Sequence, residues 1–138
     1  MSLGEKRIRT LVVDDSADFV RYLCAFLEAL STVDVIATGR SGREAVVLAH
    51  EWMPDLILMD VKMPEMTGPE AASQLAKELP EVVVILMSGF ESEEVRRASE
   101  KSGAFAFVMK EELIQDLPIL LELAAAEKGW NRPSKNCA

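Results

Sequence analysis

The chain has 138 residues, enough for one domain that buries a core without disulfide or metal staples. Its composition, 49% hydrophobic and 28% charged, is that of a globular protein, and no apolar run reaches the length of a membrane span. A net charge of −8 argues against direct nucleic-acid binding, which needs a basic face, and a single histidine excludes a histidine triad or a multi-histidine metal site.

Residues 1–6 read as a leader without a secretory signal pattern. The first apolar run, Ile8–Val13, is strand-sized and ends in Asp14-Asp15. Phe19, Leu23, Phe26, Leu27 and Leu30 then recur at helical spacing, with Cys24 on the same stripe. A second strand is expected over 33–38. Ser41-Gly42-Arg43-Glu44 is a capping-box pattern, and it opens a helix whose stripe is Ala45, Leu48, Ala49 and Trp52. The third run, 56–59, ends at Asp60. Thr67-Gly68-Pro69-Glu70 is another box, with proline in the first turn where no hydrogen-bond donor is lost. Ala71, Leu75 and Leu79 follow on one face, and Pro80 stops that helix.

The fourth run, 82–87, ends in Ser88-Gly89. The charged stretch 91–101 reads as a helix with a thin apolar face, stopped at Gly103. The fifth run, 105–109, ends at Lys110. Leu113, Leu117, Leu120, Leu121 and Ala124 keep the helical period beyond it, yet Pro118 interrupts them. Proline suits a first turn and not a helix interior, so the last helix is expected to begin near Asp116, with 111–115 as a turn. The domain is read as 7–128, and 129–138 as a flexible tail. Cys24 and Cys137 match no disulfide framework or metal motif, and fit a reducing cytoplasm.

Strands and helices therefore alternate five times. Right-handed crossovers turn that order into a doubly wound parallel α/β sheet, and strands with little polar alternation imply helices on both faces. In such sheets ligands bind beyond the carboxyl ends of the strands. At those ends stand Asp14, Asp15, Asp60, Ser88, Gly89 and Lys110. Three clustered carboxylates resist ionising together, and a hard divalent cation such as magnesium removes the conflict. One carboxylate can then attack a phosphoryl group to give an acyl phosphate. Lys110, the Ser88 hydroxyl and the Gly89 backbone would meet its oxygens.

Four segments carry a resemblance: Leu11-Val12-Val13-Asp14-Asp15-Ser16, Leu56-Ile57-Leu58-Met59-Asp60-Val61-Lys62-Met63-Pro64-Glu65-Met66-Thr67-Gly68, Ser88-Gly89, and Gly103-Ala104 followed by Val108-Met109-Lys110. Together they resemble the receiver domains of two-component response regulators, over nearly the whole chain. The resemblance implies a five-stranded flavodoxin-like (βα)5 fold with strand order 2-1-3-4-5. It also implies Asp60 as phosphoacceptor, with Mg2+ held by Asp15, Asp60, the backbone carbonyl of Lys62 and, largely through water, Asp14. Ser88 would bind a phosphoryl oxygen beside Gly89, Lys110 would pair with the phosphate, and Phe107 would be the aromatic that turns inward on switching. The implied partner is a sensor histidine kinase or a histidine phosphotransfer protein. Dimerisation through the last two helices stays open. The implied role is a cytoplasmic signalling switch rather than an enzyme with a turnover substrate.

Glu111 follows the lysine where most receivers have proline, and Phe107 stands where many have tyrosine. The first departure implies a different route into the last helix. Lys62 and Phe90 are expected to flank the pocket and limit water attack on an acyl phosphate. His50 lies on a helix away from the strand ends and is not expected to donate phosphate.

Three other functions were weighed. An aspartyl phosphatase would need a second acid two residues after its nucleophile, where Lys62 stands. A nucleotide- or flavin-binding domain would need a glycine-rich loop where Asp14-Asp15-Ser16 stands. A receiver-like adaptor that is never phosphorylated is the remaining alternative. The intact Asp15, Asp60, Ser88 and Lys110 argue against it.

Overall fold

The computed structural model describes residues 7–130, so the expectations for 1–6 and 131–138 concern residues outside that range. Elements follow in the order β1 (Ile8–Val13), α1 (Ala17–Glu28), β2 (Val33–Gly39), α2 (Gly42–Trp52), β3 (Leu56–Asp60), α3 (Gly68–Glu78), β4 (Val83–Ser88), α4 (Glu93–Lys101), β5 (Ala106–Met109) and α5 (Lys110–Lys128). The five strands are parallel, in the order β2-β1-β3-β4-β5. This is the doubly wound α/β sheet expected from the alternation.

Alternate side chains of the strands feed two cores. Val12, Leu56, Leu58, Ile85 and Met87 face one layer, closed by Leu23 and Leu27 of α1 and by Leu113, Leu117 and Leu121 of α5. Leu11, Val13, Ile57, Met59 and Leu86 face the other, closed by Ala45 and Ala49 of α2 and by Ala71, Ala72 and Leu75 of α3. Both central strands β3 and β4 are buried along their whole length, which is why their sequences lack polar alternation.

Three local expectations need correction. First, α5 is one continuous helix from Lys110, with Pro118 inside it, and 111–115 is not a separate turn. Leu113 and Leu117 lie before the proline and are fully buried. Burial of two leucines is worth about 3–6 kcal/mol, enough to offset the roughly 3 kcal/mol cost of an interior proline. Second, Trp52 is 42% exposed rather than part of the buried stripe. It is the last helical residue, and Met53 follows with φ 48, turning the chain towards β3. Third, the box at Ser41 forms by half. Its hydroxyl accepts from Glu44 N–H, but the Glu44 carboxylate reaches Arg40 N–H.

At the far end, Trp130 packs against the α1–α5 core and its N–H donates to Ala125 O. No helix among the described residues is long and apolar enough to cross a membrane.

Candidate functional site

Strand pairing brings the polar ends of the strands side by side. Val13 pairs with Met59, Asp60 with Met87, and Ser88 with Met109. The residues that follow, Asp14 and Asp15 after β1 and Lys110 after β5, therefore emerge on the same rim as Asp60 and Ser88. Asp14 is 1% exposed and Asp60 7%, whereas Asp15 is open to solvent. Asp14, Asp15 and Asp60 each offer a carboxylate oxygen, all within 4.8 Å of one another.

Lys110 reaches into this group. Its Nζ lies 2.7 Å from Asp14 Oδ2 and 3.4 Å from Asp60 Oδ1. One ammonium does not balance three carboxylates. Burial pushes the Asp60 carboxyl up from 3.8 to about 6, and the Asp14 carboxylate pushes the same way; Lys110 and the Val61 N–H oppose both. Asp14 Oδ1 accepts from Ser16 N–H at 2.9 Å, and buried Asp14 Oδ2 is met among the described residues by the Lys110 ammonium. A rim of oxygen donors with surplus negative charge fits a hard divalent cation.

The segment after Asp60 is held by the backbone. Val61 N–H donates to Met87 O, Gly68 N–H to Val61 O, and Gly42 N–H to Met66 O. Thr67 and Glu70 complete the reciprocal capping box of α3. Gly68 is required by proximity, because a Cβ there would lie 2.3 Å from the Asp60 carbonyl oxygen. The start of α3 thus rests directly on the backbone of Asp60.

The segment after Ser88 is held more lightly. The buried Ser88 hydroxyl donates to Phe90 O at 2.8 Å and accepts from Phe90 N–H at 3.0 Å, so it is engaged by its own turn. Gly89 is exposed with open space around it, and Phe90 is 67% exposed. Lys62 is exposed two residues past Asp60, and its ammonium lies 5.9 Å from the Phe90 ring centroid. Phe107 is half-buried on β5, with the Arg96 guanidinium of α4 5.5 Å from its ring centroid. His50 stands apart on α2 and meets Glu78 of α3 at 2.7 Å.

The rim holds one residue that sequence reasoning placed only on a helix stripe. Phe19 of α1 lies under Lys110, with Nζ 4.3 Å from its ring centroid. The available signal was its place in the first turn of the helix that leaves the Asp14-Asp15 corner. Arg96 was equally unmarked among the charges of α4.

A five-stranded parallel sheet in this order, with a buried acid at its central rim and a lysine from the neighbouring corner, defines a receiver-type α/β domain. Residues 10–122 match the response regulator receiver domain family, and the chain belongs to that family. It is 39% identical over 112 residues to the response regulator protein VraR of Staphylococcus aureus, covering 80% of this chain. The chain spans about half the length of that relative, 53%. Among solved structures, the response regulator domain of Thermotoga maritima CheB superposes with TM-score 0.77 at 31% identity, over 92% of this chain and 100% of that one. The signal receiver domain of the putative response regulator NarL from Mycobacterium tuberculosis gives TM-score 0.79 at 26% identity, over 86% and 97%.

Proposed function

We propose that Asp60 accepts a phosphoryl group from a phosphohistidine on a sensor histidine kinase or a histidine phosphotransfer protein. The resulting acyl phosphate biases a conformational equilibrium that controls an output. The observation that carries this reading is the buried Asp60 carboxylate, clustered with Asp14 and Asp15 and faced by Lys110 at 3.4 Å.

The carboxylate oxygen attacks phosphorus as the P–N bond to the donor imidazole breaks, so phosphate is moved and not consumed. Mg2+ held by Asp15 and Asp60, by Asp14 through water and by the Lys62 carbonyl would supply positive charge to the transferring oxygens. Lys110 then balances the added negative charge. The Ser88 hydroxyl leaves Phe90 O and donates to a phosphoryl oxygen, with the exposed Gly89 N–H beside it. Phe107 turns inward as the hydroxyl moves, leaving Arg96. Lys62 and Phe90, whose ammonium and ring centroid are 5.9 Å apart, would flank the pocket and slow hydrolysis of the acyl phosphate. The domain acts in the cytoplasm as a switch and not as an enzyme.

Intact-protein mass spectrometry with acetyl phosphate tests the reading. One phosphoryl adduct should form with magnesium, vanish in Asp60→Asn, and decay faster in Lys62→Ala or Phe90→Ala. Failure to form an adduct, together with failure to bind beryllofluoride, would replace the reading with that of a phosphorylation-independent adaptor.

A further inference from the structure

A lysine ammonium sits on a flexible four-carbon stem, so each added contact narrows the positions it visits. The Lys110 ammonium meets two carboxylates, Asp14 Oδ2 at 2.7 Å and Asp60 Oδ1 at 3.4 Å. The Phe19 ring lies 4.3 Å from the same ammonium. An ammonium over a ring is attracted by the negative face of its π-system, more strongly where water is excluded. The Lys110 side chain is only 20% exposed, so this contact is largely shielded.

The position of Phe19 is itself fixed by the acidic corner. Asp14 Oδ1 accepts from Ser16 N–H at 2.9 Å, and Ser16 Oγ accepts from Phe19 N–H at 3.2 Å as the N-cap of α1. Phe19 packs against the core shared by α1 and α5 and leans on Tyr22, ring centroids 6.0 Å apart. Asp14, Ser16, Phe19 and Lys110 therefore close a ring of contacts that begins and ends on one carboxylate. An aliphatic side chain at 19 would fill the core but would not hold a cation.

From this geometry we infer that Phe19 is a positioning residue for phosphoryl transfer: its ring holds the Lys110 ammonium against Asp14 and Asp60. This inference rests on the phosphoacceptor reading of Asp60. Without the ring, the ammonium visits solvent, and the charge it brings to the phosphoryl oxygens arrives less often in place.

The test compares wild type with Phe19→Leu, which keeps apolar packing, and Phe19→Tyr, which keeps the ring. Two readouts are needed. In 13C-labelled lysine spectra, the Lys110 Hε protons should be shifted upfield by the ring in wild type and Phe19→Tyr, and should return to the exposed-lysine position in Phe19→Leu. The rate of adduct formation from acetyl phosphate should fall roughly 5–20-fold in Phe19→Leu, with most of the rate restored in Phe19→Tyr. Unshifted Hε protons in the wild type overturn the inference, whatever the rates. So does a Phe19→Leu rate equal to wild type in a protein that does become phosphorylated. If wild type forms no adduct, the phosphoacceptor reading has failed, and the Hε shift alone decides whether Phe19 holds Lys110.

Discussion

Helices α3 and α4 follow neighbouring strands of the site, yet they are built in opposite ways. The eleven residues of α3 begin with a complete capping box and a first-turn proline, and bury Gly68, Pro69, Ala71, Ala72 and Leu75. The nine residues of α4 bury Ser99 alone, and the Ser99 hydroxyl has no hydrogen-bond partner among the described residues. Such an orphan costs about 1–3 kcal/mol. The ion pairs of α4, Arg96 with Glu91 and Arg97 with Glu93, are exposed and worth about 1 kcal/mol or less each. The Asp60 carboxylate is thus tied to a firmly packed support, and the hydroxyl Ser88 opens into the loosely held side. Under the proposed phosphoacceptor role, such a site keeps Asp60 fixed while the Ser88 side moves.

The largest effect that sharpens this contrast is a pair of truncations. Leu75→Ala in α3 should cost roughly 2–5 kcal/mol in urea denaturation, because Leu75 is fully enclosed. Val95→Ala in α4 should cost about 1 kcal/mol or less, because Val95 is only partly covered. Equal costs would break the comparison.

A smaller effect probes what the rigid side endures. The Asp60 carboxyl in the folded protein is raised to about 6 from 3.8. Below pH 4 both folded and unfolded states hold the proton and there is no penalty. As pH rises from 4 to 6, the unfolded chain loses its proton first, so stability is lost, and above about 6 the penalty is constant. In metal-free buffer at pH 7.5, Asp60→Asn should therefore melt roughly 3–6 °C above wild type, with the gap narrowing at pH 4.5. Magnesium should raise the wild-type Tm and leave that of the variant unchanged. A variant that melts below wild type at pH 7.5 would show that Lys110 already compensates the charge of Asp60.

Much of this was legible in the sequence because the strands announce their own ends. Apolar runs stop at Asp14, Asp60, Ser88 and Lys110, and parallel order places those stops on one rim. The thin apolar face of α4 was equally visible in its charges. Helix α5 was misread because local rules penalise Pro118, whereas the burial of Leu113 and Leu117 is a tertiary effect. Trp52 was misread because periodicity does not say where the chain turns away, and the left-handed Met53 decides that. The contact of Phe19 with Lys110 joins residues far apart in sequence, which no local pattern encodes. The turn that holds the Ser88 hydroxyl to Phe90 depends on a rotamer, and residue types do not specify it.

Hydrogen exchange with and without beryllofluoride and magnesium tests most directly whether phosphorylation is read out through the loose side. Protection should change in the segment from Ser88 through α4 and β5, while the amides of α3 keep their slow exchange. Equal changes in α3 and α4, or changes confined to α3, would contradict the division between a fixed Asp60 side and a mobile Ser88 side.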